Sequence, residues 1–257
     1  MSTGYPAAVM ERTEHGDVVM LRLAHGKAAA LDLELLRAID DAFALEERSP
    51  SRAVVLTGTG SIFSAGVDLL RVVEGGRAYL AEFLPALDRT LRRLLAFEKP
   101  LVAAINGHAI AGGFVIACAA DRRLLARGKA TYGAPELEVG VPFPPSALEL
   151  VRLGCPPASL REITLESRIF GCEDCLARGL VDELVPPESL LDLAVERATK
   201  LASPPARAFA ITKRLLRRPA LERLEREGSR SEEILGAWAS DEVLGAIRAY
   251  VQRILRN

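Results

Sequence analysis

Hydrophobic positions in the first half of the chain form short runs and helical repeats in alternation. The segment 17–23 mixes β-branched and apolar residues, a composition that predicts a strand. Asp32 can cap the helix that follows, whose apolar positions recur at helical spacing at Leu35, Leu36, Ile39 and Phe43. The segment 52–57 is a second strand, apolar enough to be buried on both faces.

The same alternation continues through the middle of the chain. The pattern predicts a long helix over 79–97, ended by Lys99-Pro100, and then a strand over 101–105. A helix over about 112–119 and a strand over 122–126 follow. Strands that alternate with helices predict an α/β fold with buried parallel strands.

The strand pattern stops at Glu188, and only helices are predicted beyond it, over 190–202, 205–217 and 221–257. The best internal boundary is Ser203-Pro204-Pro205. We therefore divide the chain into a core over 1–202 and a helical region over 203–257. That region is too small to be a persuasive independent fold, so we expect it to pack on the core or on a neighbouring subunit.

Composition argues against several classes of partner. The 257 residues include 33 basic and 34 acidic side chains, a balance that gives no electrostatic case for nucleic acid or a membrane surface as the main partner. Aromatic residues are 5% of the chain, too few to suggest a base-stacking platform. The N-terminus has no basic run before an apolar stretch, and the four cysteines form no disulfide framework, so we expect a cytoplasmic protein.

One apolar run, 101–120, resembles a membrane span. Asn106, His108 and the pair Gly112-Gly113 interrupt it. We therefore interpret the run as a strand, a turn and a buried helix.

Two glycine-containing segments, 63–69 and 106–114, are candidates for binding chemistry. Glycine lets a backbone approach a ligand closely, and each segment can present unpaired N–H groups, the second at a helix N-terminus. Two such donors directed at one oxygen form an oxyanion hole, in which each donor contributes about 3 kcal/mol. Either segment alone is more often a simple turn.

The order of several segments resembles the crotonase (enoyl-CoA hydratase/isomerase) family. The matching pieces are 26–32, 63–69, 99–113, 118–121, 132–136 and 179–186. The resemblance implies an α/β fold built as a spiral of ββα units, with a C-terminal helical trimerisation region. It also implies an acyl-CoA thioester as the substrate, no separate cofactor because coenzyme A is part of that substrate, and a homotrimer or dimer of trimers.

The resemblance also assigns residues, none of them to a metal. The N–H groups of Val67 and Gly112 would form the oxyanion hole. Coenzyme A would be held by backbone around Lys27, Ala28, Ala30, Ala65 and Asp68. Family members usually have Asn where this chain has Ala29, so one local polar contact is missing.

The acid/base residues depart from the family's hydratases, which carry two glutamates. Glu136 matches one of them, whereas Val115 occupies the place of the other. A glutamate buried among apolar neighbours has a raised pKa and can act as a base near neutrality. One carboxylate favours isomerisation of 3-enoyl-CoA to 2-enoyl-CoA over hydration. A weakly catalytic acyl-CoA-binding protein, a thioesterase and a decarboxylase remain alternatives.

Three other features have both structural and functional interpretations. His108 is paired with no nucleophile in a known motif and is interpreted as structural. Cys172 and Cys175 have the spacing of a zinc or thioredoxin pair but no second pair. The resemblance implies an ordinary helix start at this place, so we interpret them as structural. Lys213 and Arg214 either reach a coenzyme A phosphate, as a tail lysine does in the family, or lie on a solvated helix face.

Overall fold

The computed structural model of the chain describes residues 9–226 and 231–255. Its strands are β1 Met10–His15, β2 Val18–Leu23, β3 Ala30–Leu31, β4 Ala53–Thr57, β5 Ile62–Ser64, β6 Gly66–Val67, β7 Leu101–Ile105, β8 His108–Ile110, β9 Arg122–Ala126, β10 Thr131–Gly133, β11 Ile169–Gly171 and β12 Glu183–Val185. The N-terminal residues 1–8, which bear on a targeting signal, lie outside the described ranges, as do 227–230 and 256–257 of the predicted helical region.

Helices connect and cover these strands. They are α1 Leu33–Arg48, α2 Leu69–Ala96, α3 Gly112–Cys118, α4 Glu136–Val139, α5 Pro145–Gly154, α6 Pro157–Thr164, α7 Cys172–Ala177, α8 Leu190–Leu201, α9 Ala206–Arg226, α10 Ser231–Trp238 and α11 Asp241–Leu255. The predicted α/β class is confirmed.

The main sheet has the order β1-β2-β4-β7-β9-β12 and is parallel from β2 to β12. Its central strands β4 and β7 are buried along their whole length, as their apolar runs predict. Successive residues point to opposite faces. Leu56 packs in the cluster that contains Ile39 of α1, whereas Val55 packs in the cluster that contains Ala194 of α8.

Two smaller sheets position the glycine-containing segments. One has the order β11-β10-β8-β5, in which β8 pairs in parallel with both β5 and β10. The other pairs β3 with β6. Because β5 and β6 belong to the first segment and β8 leads into α3 of the second, this pairing brings both segments to one place. The apolar run 101–120 therefore folds as β7 and α3, the predicted strand and helix, but the expected turn between them also contains a short strand, β8, which pairs with β5 and β10.

Two helices are longer than the hydrophobic pattern predicts. The helix α2 begins at Leu69 rather than at Tyr79 because the Asp68 side chain accepts a hydrogen bond from the Arg71 N–H and caps it. A kink at Gly76, where φ is +53°, separates the two parts. The helix α9 continues past Arg217 and through Pro219 to Arg226.

The C-terminal helices pack on the core. Trp238, Leu244 and Ile247 join the same hydrophobic cluster as the main sheet. Arg217 of α9 donates hydrogen bonds to the carbonyl groups of Leu94, Leu95 and Ala119. The expectation that this region packs on the core is confirmed, while the domain boundary at Ser203 stays a prediction.

Candidate active site

The two glycine-containing segments are in direct contact through Gly66. Its φ of +82° lies in the left-handed region that favours glycine. A Cβ atom at this position would lie 2.7 Å from the Ile110 carbonyl oxygen and 2.9 Å from the Gly112 nitrogen. Glycine is therefore required here, because any side chain would separate the two segments.

The predicted oxyanion donors belong to these segments. The Asp68 N–H donates to the Leu31 carbonyl oxygen of β3 at 2.9 Å. Because neighbouring N–H groups of an extended strand point to opposite sides, the Val67 N–H points away from β3. Gly112 is the first residue of α3, where N–H groups have no partner within the helix. The first intrahelical bond at this end joins the Val115 N–H to the Ala111 carbonyl oxygen.

Val67 and Gly112 line one cavity of about 530 Å³. Most of its wall is apolar, from the start of α2, from α3 and α4, and from the C-terminal helices. The residues that line it include Ala30, Ala65, Val67, Asp68, Leu87, Leu91, Gly112, Val115, Thr131, Glu136, Ile169, Trp238, Tyr250 and Val251. This space suits an apolar acyl group beside two backbone donors.

Glu136 lines the same cavity at the start of α4. The residue is 7% exposed, and no group of the described residues is hydrogen-bonded to its Oε2 atom. Burial raises its pKa to about 8, because it removes the water that would stabilise the charged carboxylate. A carboxylate with such a pKa is suited to remove a proton from carbon near neutral pH.

Val115 lines the cavity three residues after Gly112, on the same face of α3. It offers no acid or base. In the described ranges the acidic residues of the cavity wall are Glu136 and Asp68, and Asp68 is occupied as the cap of α2 and as the ion-pair partner of Arg71 at 3.6 Å. The segment 142–145, which follows α4, contains no acidic residue and so adds none to the wall.

The residues assigned to coenzyme A are only partly brought together. Ala30, Ala65 and Asp68 line the cavity, whereas exposed Lys27 and half-buried Ala28 lie outside its wall, in a turn before β3. The Ala28 carbonyl oxygen accepts a hydrogen bond from the Ala65 N–H at 3.0 Å, so this turn is attached to the first glycine segment. Ala29 has a φ of +43°, a conformation that Asn adopts more readily than Ala.

His108 has a partner that the sequence motifs did not indicate. Its Nδ1 atom lies 2.7 Å from the Thr131 hydroxyl and accepts a hydrogen bond from the Thr131 N–H. This contact joins β8 to β10 in the small sheet, and Thr131 itself lines the cavity. The two residues are 23 positions apart, and only the sheet pairing brings them together.

The C-terminal helices contribute residues that sequence analysis missed. Trp238 of α10 and Tyr250 and Val251 of α11 line the cavity, more than 100 residues after Glu136. Trp238 is buried and donates from Nε1 to the Pro142 carbonyl oxygen at 3.1 Å. The apolar face of these helices was visible in the sequence, but its partner was not.

Both interpretations offered for Lys213 are wrong. Its ammonium group is buried between β7 and α9, where it donates to an Asp121 carboxylate oxygen at 2.6 Å and to the Lys99 carbonyl oxygen at 2.7 Å. It therefore lies neither on a solvated face nor free to reach a phosphate. Arg214 is exposed and pairs with Glu98 at 3.1 Å, as the solvated-face interpretation expects.

Two groups of side chains contain residue types that can bind a metal. His25, Asp32 and Glu34 place one ligand atom each within 4.8 Å of the others. The Asp32 oxygens already accept from the Leu35 N–H and contact His25 at 2.8 Å. The cap of α1 therefore explains why these side chains lie together. Cys172 begins α7, as expected.

None of the helices in the described ranges has an apolar stretch that would span a bilayer.

Comparison with known proteins agrees with the geometry. The family model for enoyl-CoA hydratase/isomerase matches residues 13–253. A carnitinyl-CoA dehydratase from Salmonella arizonae is 35% identical over 208 residues, which are 80% of this chain and 78% of the relative.

Solved structures show that the similarity includes the fold. An enoyl-CoA isomerase from Mycobacterium tuberculosis is 28% identical with a TM-score of 0.77, covering 95% of this chain and 99% of that one. The human mitochondrial delta3-delta2-enoyl-CoA isomerase is 24% identical and has a TM-score of 0.88 over 96% of this chain and 98% of that one, a likeness of fold alone. The predicted crotonase fold is confirmed, and the chain belongs to the enoyl-CoA hydratase/isomerase family of the crotonase superfamily.

Proposed function

We propose that the protein binds an acyl-CoA thioester, stabilises its enolate and moves a carbon–carbon double bond from the 3-enoyl to the 2-enoyl position. The observation that supports this most directly is the state of Glu136. It is a buried carboxyl group with a raised pKa and an unpartnered oxygen, in a cavity shared with Val67 and Gly112. Val115 supplies no second acid.

The reaction needs one base and one oxyanion site. The Val67 and Gly112 N–H groups would donate to the thioester oxygen, so that negative charge on this oxygen is stabilised as the enolate forms. Ionised Glu136 would remove a proton from the α-carbon. The resulting acid would return that proton to the γ-carbon, and the carboxylate would be regenerated.

Coenzyme A would lie along the first glycine segment. Ala30, Ala65 and Asp68 line the cavity beside the two donors, and Lys27 and Ala28 form the turn next to them. Because most of these contacts would be made by backbone groups, the Ala29 side chain is not required for them. Coenzyme A enters as part of the substrate.

The test compares wild type with Glu136→Gln on 3-enoyl-CoA and 2-enoyl-CoA. Loss of the base is expected to lower isomerisation by roughly 10²- to 10⁴-fold. Glu166→Gln is the control, because Glu166 is exposed and pairs only with Arg161 on the surface. Full isomerase activity in Glu136→Gln would refute the assignment, and so would hydration by wild type as fast as by two-glutamate relatives.

The similarity to a carnitinyl-CoA dehydratase favours a second candidate, the addition or removal of water. It would use the same enolate and the same base. The two candidates differ in whether the cavity binds an oxygen at the β-carbon.

We also propose that the protein is a homotrimer or a dimer of trimers assembled through its C-terminal helices. The helix α9 exposes Ile211, Leu215 and Leu216, with Leu216 70% exposed in the single chain. Contact with a neighbouring subunit would bury this apolar stripe. Light scattering is expected to give three or six times the 27.7 kDa chain mass, and a monomer at micromolar concentration would contradict the proposal.

A further inference from the structure

The helix α11 is attached to the short helix that carries Glu136. Gly140, which ends α4, has a φ of +93°, and a Cβ atom there would lie 2.8 Å from the Ala246 Cβ of α11. Arg253 of α11 pairs with Glu138 of α4 at 2.6 Å. Because of these two contacts, a residue on the inner face of α11 has a defined position relative to Glu136.

Tyr250 occupies that inner face and lines the cavity. The Arg253 guanidinium lies over its ring, 5.0 Å from the ring centre, a contact that favours this position of the ring. Burial raises the pKa of the Tyr250 phenol, and the charges of Glu138 and Glu136 raise it further. The hydroxyl is therefore protonated at neutral pH and available as a hydrogen-bond donor.

The other polar side chains that matter in this wall already have partners. Asp68 caps α2, the Thr131 hydroxyl contacts His108, and the Trp238 indole N–H donates to the Pro142 carbonyl oxygen. In the described part of the chain, no protein group is hydrogen-bonded to the Tyr250 hydroxyl. Among the described residues of the wall, the Tyr250 hydroxyl and the Glu136 carboxyl group are therefore the side-chain groups available to contact a polar atom of the substrate.

We propose that Tyr250 donates a hydrogen bond to an oxygen on the β-carbon of the acyl chain, so that the site also interconverts 3-hydroxyacyl-CoA and 2-enoyl-CoA. Tyr250 would thereby supply the polar contact that Val115 does not. This proposal rests on the proposed function, because it uses the same oxyanion donors and the same base, Glu136.

The elimination balances with one base. Glu136 takes the proton from the α-carbon, and the electron pair of that C–H bond becomes the enolate. The enolate collapses to the carbon–carbon double bond as the bond between the β-carbon and oxygen breaks. The leaving hydroxide takes the proton back from Glu136 and departs as water, while Tyr250 keeps its own proton and stabilises the departing oxygen.

The test is Tyr250→Phe, which keeps the ring and its contact with Arg253 and removes only the hydroxyl. Hydration of 2-enoyl-CoA and dehydration of 3-hydroxyacyl-CoA are expected to fall at least tenfold more than isomerisation of 3-enoyl-CoA, whose acyl chain has no oxygen on the β-carbon. Tyr132→Phe is the matched control. No group in the described ranges is hydrogen-bonded to the Tyr132 hydroxyl either, but this hydroxyl is buried outside the cavity wall.

A binding measurement keeps the proposal testable if turnover is slow or Tyr250→Phe is unstable. In a Glu136→Gln background, the enzyme is expected to bind 3-hydroxybutyryl-CoA more tightly than butyryl-CoA. Adding Tyr250→Phe should abolish that preference. Thermal unfolding of each variant shows whether it is folded, and Tyr250→Trp, which retains an aromatic N–H donor, should recover part of the preference.

Three outcomes would overturn the role of Tyr250: a wild type that does not hydrate, equal loss of hydration and isomerisation in Tyr250→Phe, or no loss in either. The proposed function is judged separately. If Glu136→Gln still isomerises, that function fails whatever Tyr250→Phe shows. If wild type isomerises but never hydrates, the proposed function stands and only the role of Tyr250 is refuted.

Discussion

At the scale of single residues, the ionisation of Glu136 depends on burial. A carboxyl group among apolar side chains loses the water that would stabilise its charge, so its pKa rises from 4.5 to about 8. The protonated form is therefore favoured in the folded, unliganded protein at neutral pH. This has one consequence for activity and another for stability.

Activity should increase with pH because the base that we propose is the ionised form of Glu136. We expect kcat/KM for isomerisation to rise about tenfold per pH unit below pH 8 and to level off above it, since kcat/KM reports the free enzyme. A profile with 3-enoyl-CoA from pH 5 to pH 9 measures this. A profile that is flat from pH 5 upward would show that Glu136 ionises normally.

Stability should change in the opposite direction. A carboxyl group with a raised folded-state pKa contributes stability that is fully present below 4.5 and is lost as pH rises towards about 8. Gln at position 136 is neutral at every pH. The stability of Glu136→Gln relative to wild type should therefore increase between pH 5 and pH 8 and then become constant, as urea unfolding would measure. A constant difference across that range would contradict the raised pKa.

The close approach at Gly66 gives a second residue-scale prediction. Gly66→Ala would place a methyl group within 3 Å of backbone atoms of Ile110 and Gly112 and would impose a positive φ on alanine. Isomerase activity should fall at least 10²-fold, because displacing one oxyanion donor costs that much. Gly16→Ala is the control, with a φ of +63° and open space around the new methyl group. Equal activity in both variants would show that contact between the segments is unimportant.

At the scale of elements, Asp32 caps α1 as the sequence suggested. The Asp32 side chain accepts from the Leu35 N–H at 2.9 Å and also contacts His25 and Arg71. Burial would raise the pKa of Asp32, but these hydrogen bonds and the Arg71 charge lower it overall. The carboxylate thus joins α1 to the turn before β3 and to the start of α2.

Asp32→Ala should destabilise the protein by about 1–3 kcal/mol, because it removes the cap and leaves buried groups unpaired. Asp32→Asn should cost less, since its amide oxygen can still accept from Leu35. A group with a lowered folded-state pKa contributes stability above about pH 3.8 that is lost as pH falls. The difference between wild type and Asp32→Asn in urea unfolding should therefore shrink below pH 4. Equal cost for both substitutions would argue against the cap.

At the scale of the whole molecule, one partly buried carboxylate, that of Asp121, connects the C-terminal helices to the sheet. Asp121 accepts from the Leu101 N–H, from Lys213 and from Arg217, and these bonds join β7 to α9. Both cations are almost fully buried. Removing one charge from such a group leaves the others without compensation.

Asp121→Asn should therefore destabilise the protein by about 3–5 kcal/mol. Glu98→Gln, which removes the exposed partner of Arg214, should cost less than about 1 kcal/mol. Urea unfolding measures both. Similar costs would show that the buried cluster contributes no more than a surface ion pair.

The sequence by itself determined the features that depend on neighbouring residues. The apolar runs of β4 and β7, the cap at Asp32 and the interruption of the run 101–120 all follow from local composition, because secondary structure is favoured by patterns within one turn or one strand. The ordered motifs were also enough to identify the family and to single out Glu136.

Only the tertiary structure decided which distant residues meet. Tyr250 shares a cavity with Glu136, Lys213 is buried against Asp121, and His108 contacts Thr131, although these pairs are separated by 114, 92 and 23 positions. The raised pKa of Glu136 likewise depends on burial by several elements. Such contacts arise when separate helices and sheets bury their apolar faces against one another, and the period of one segment does not specify which surface will cover it.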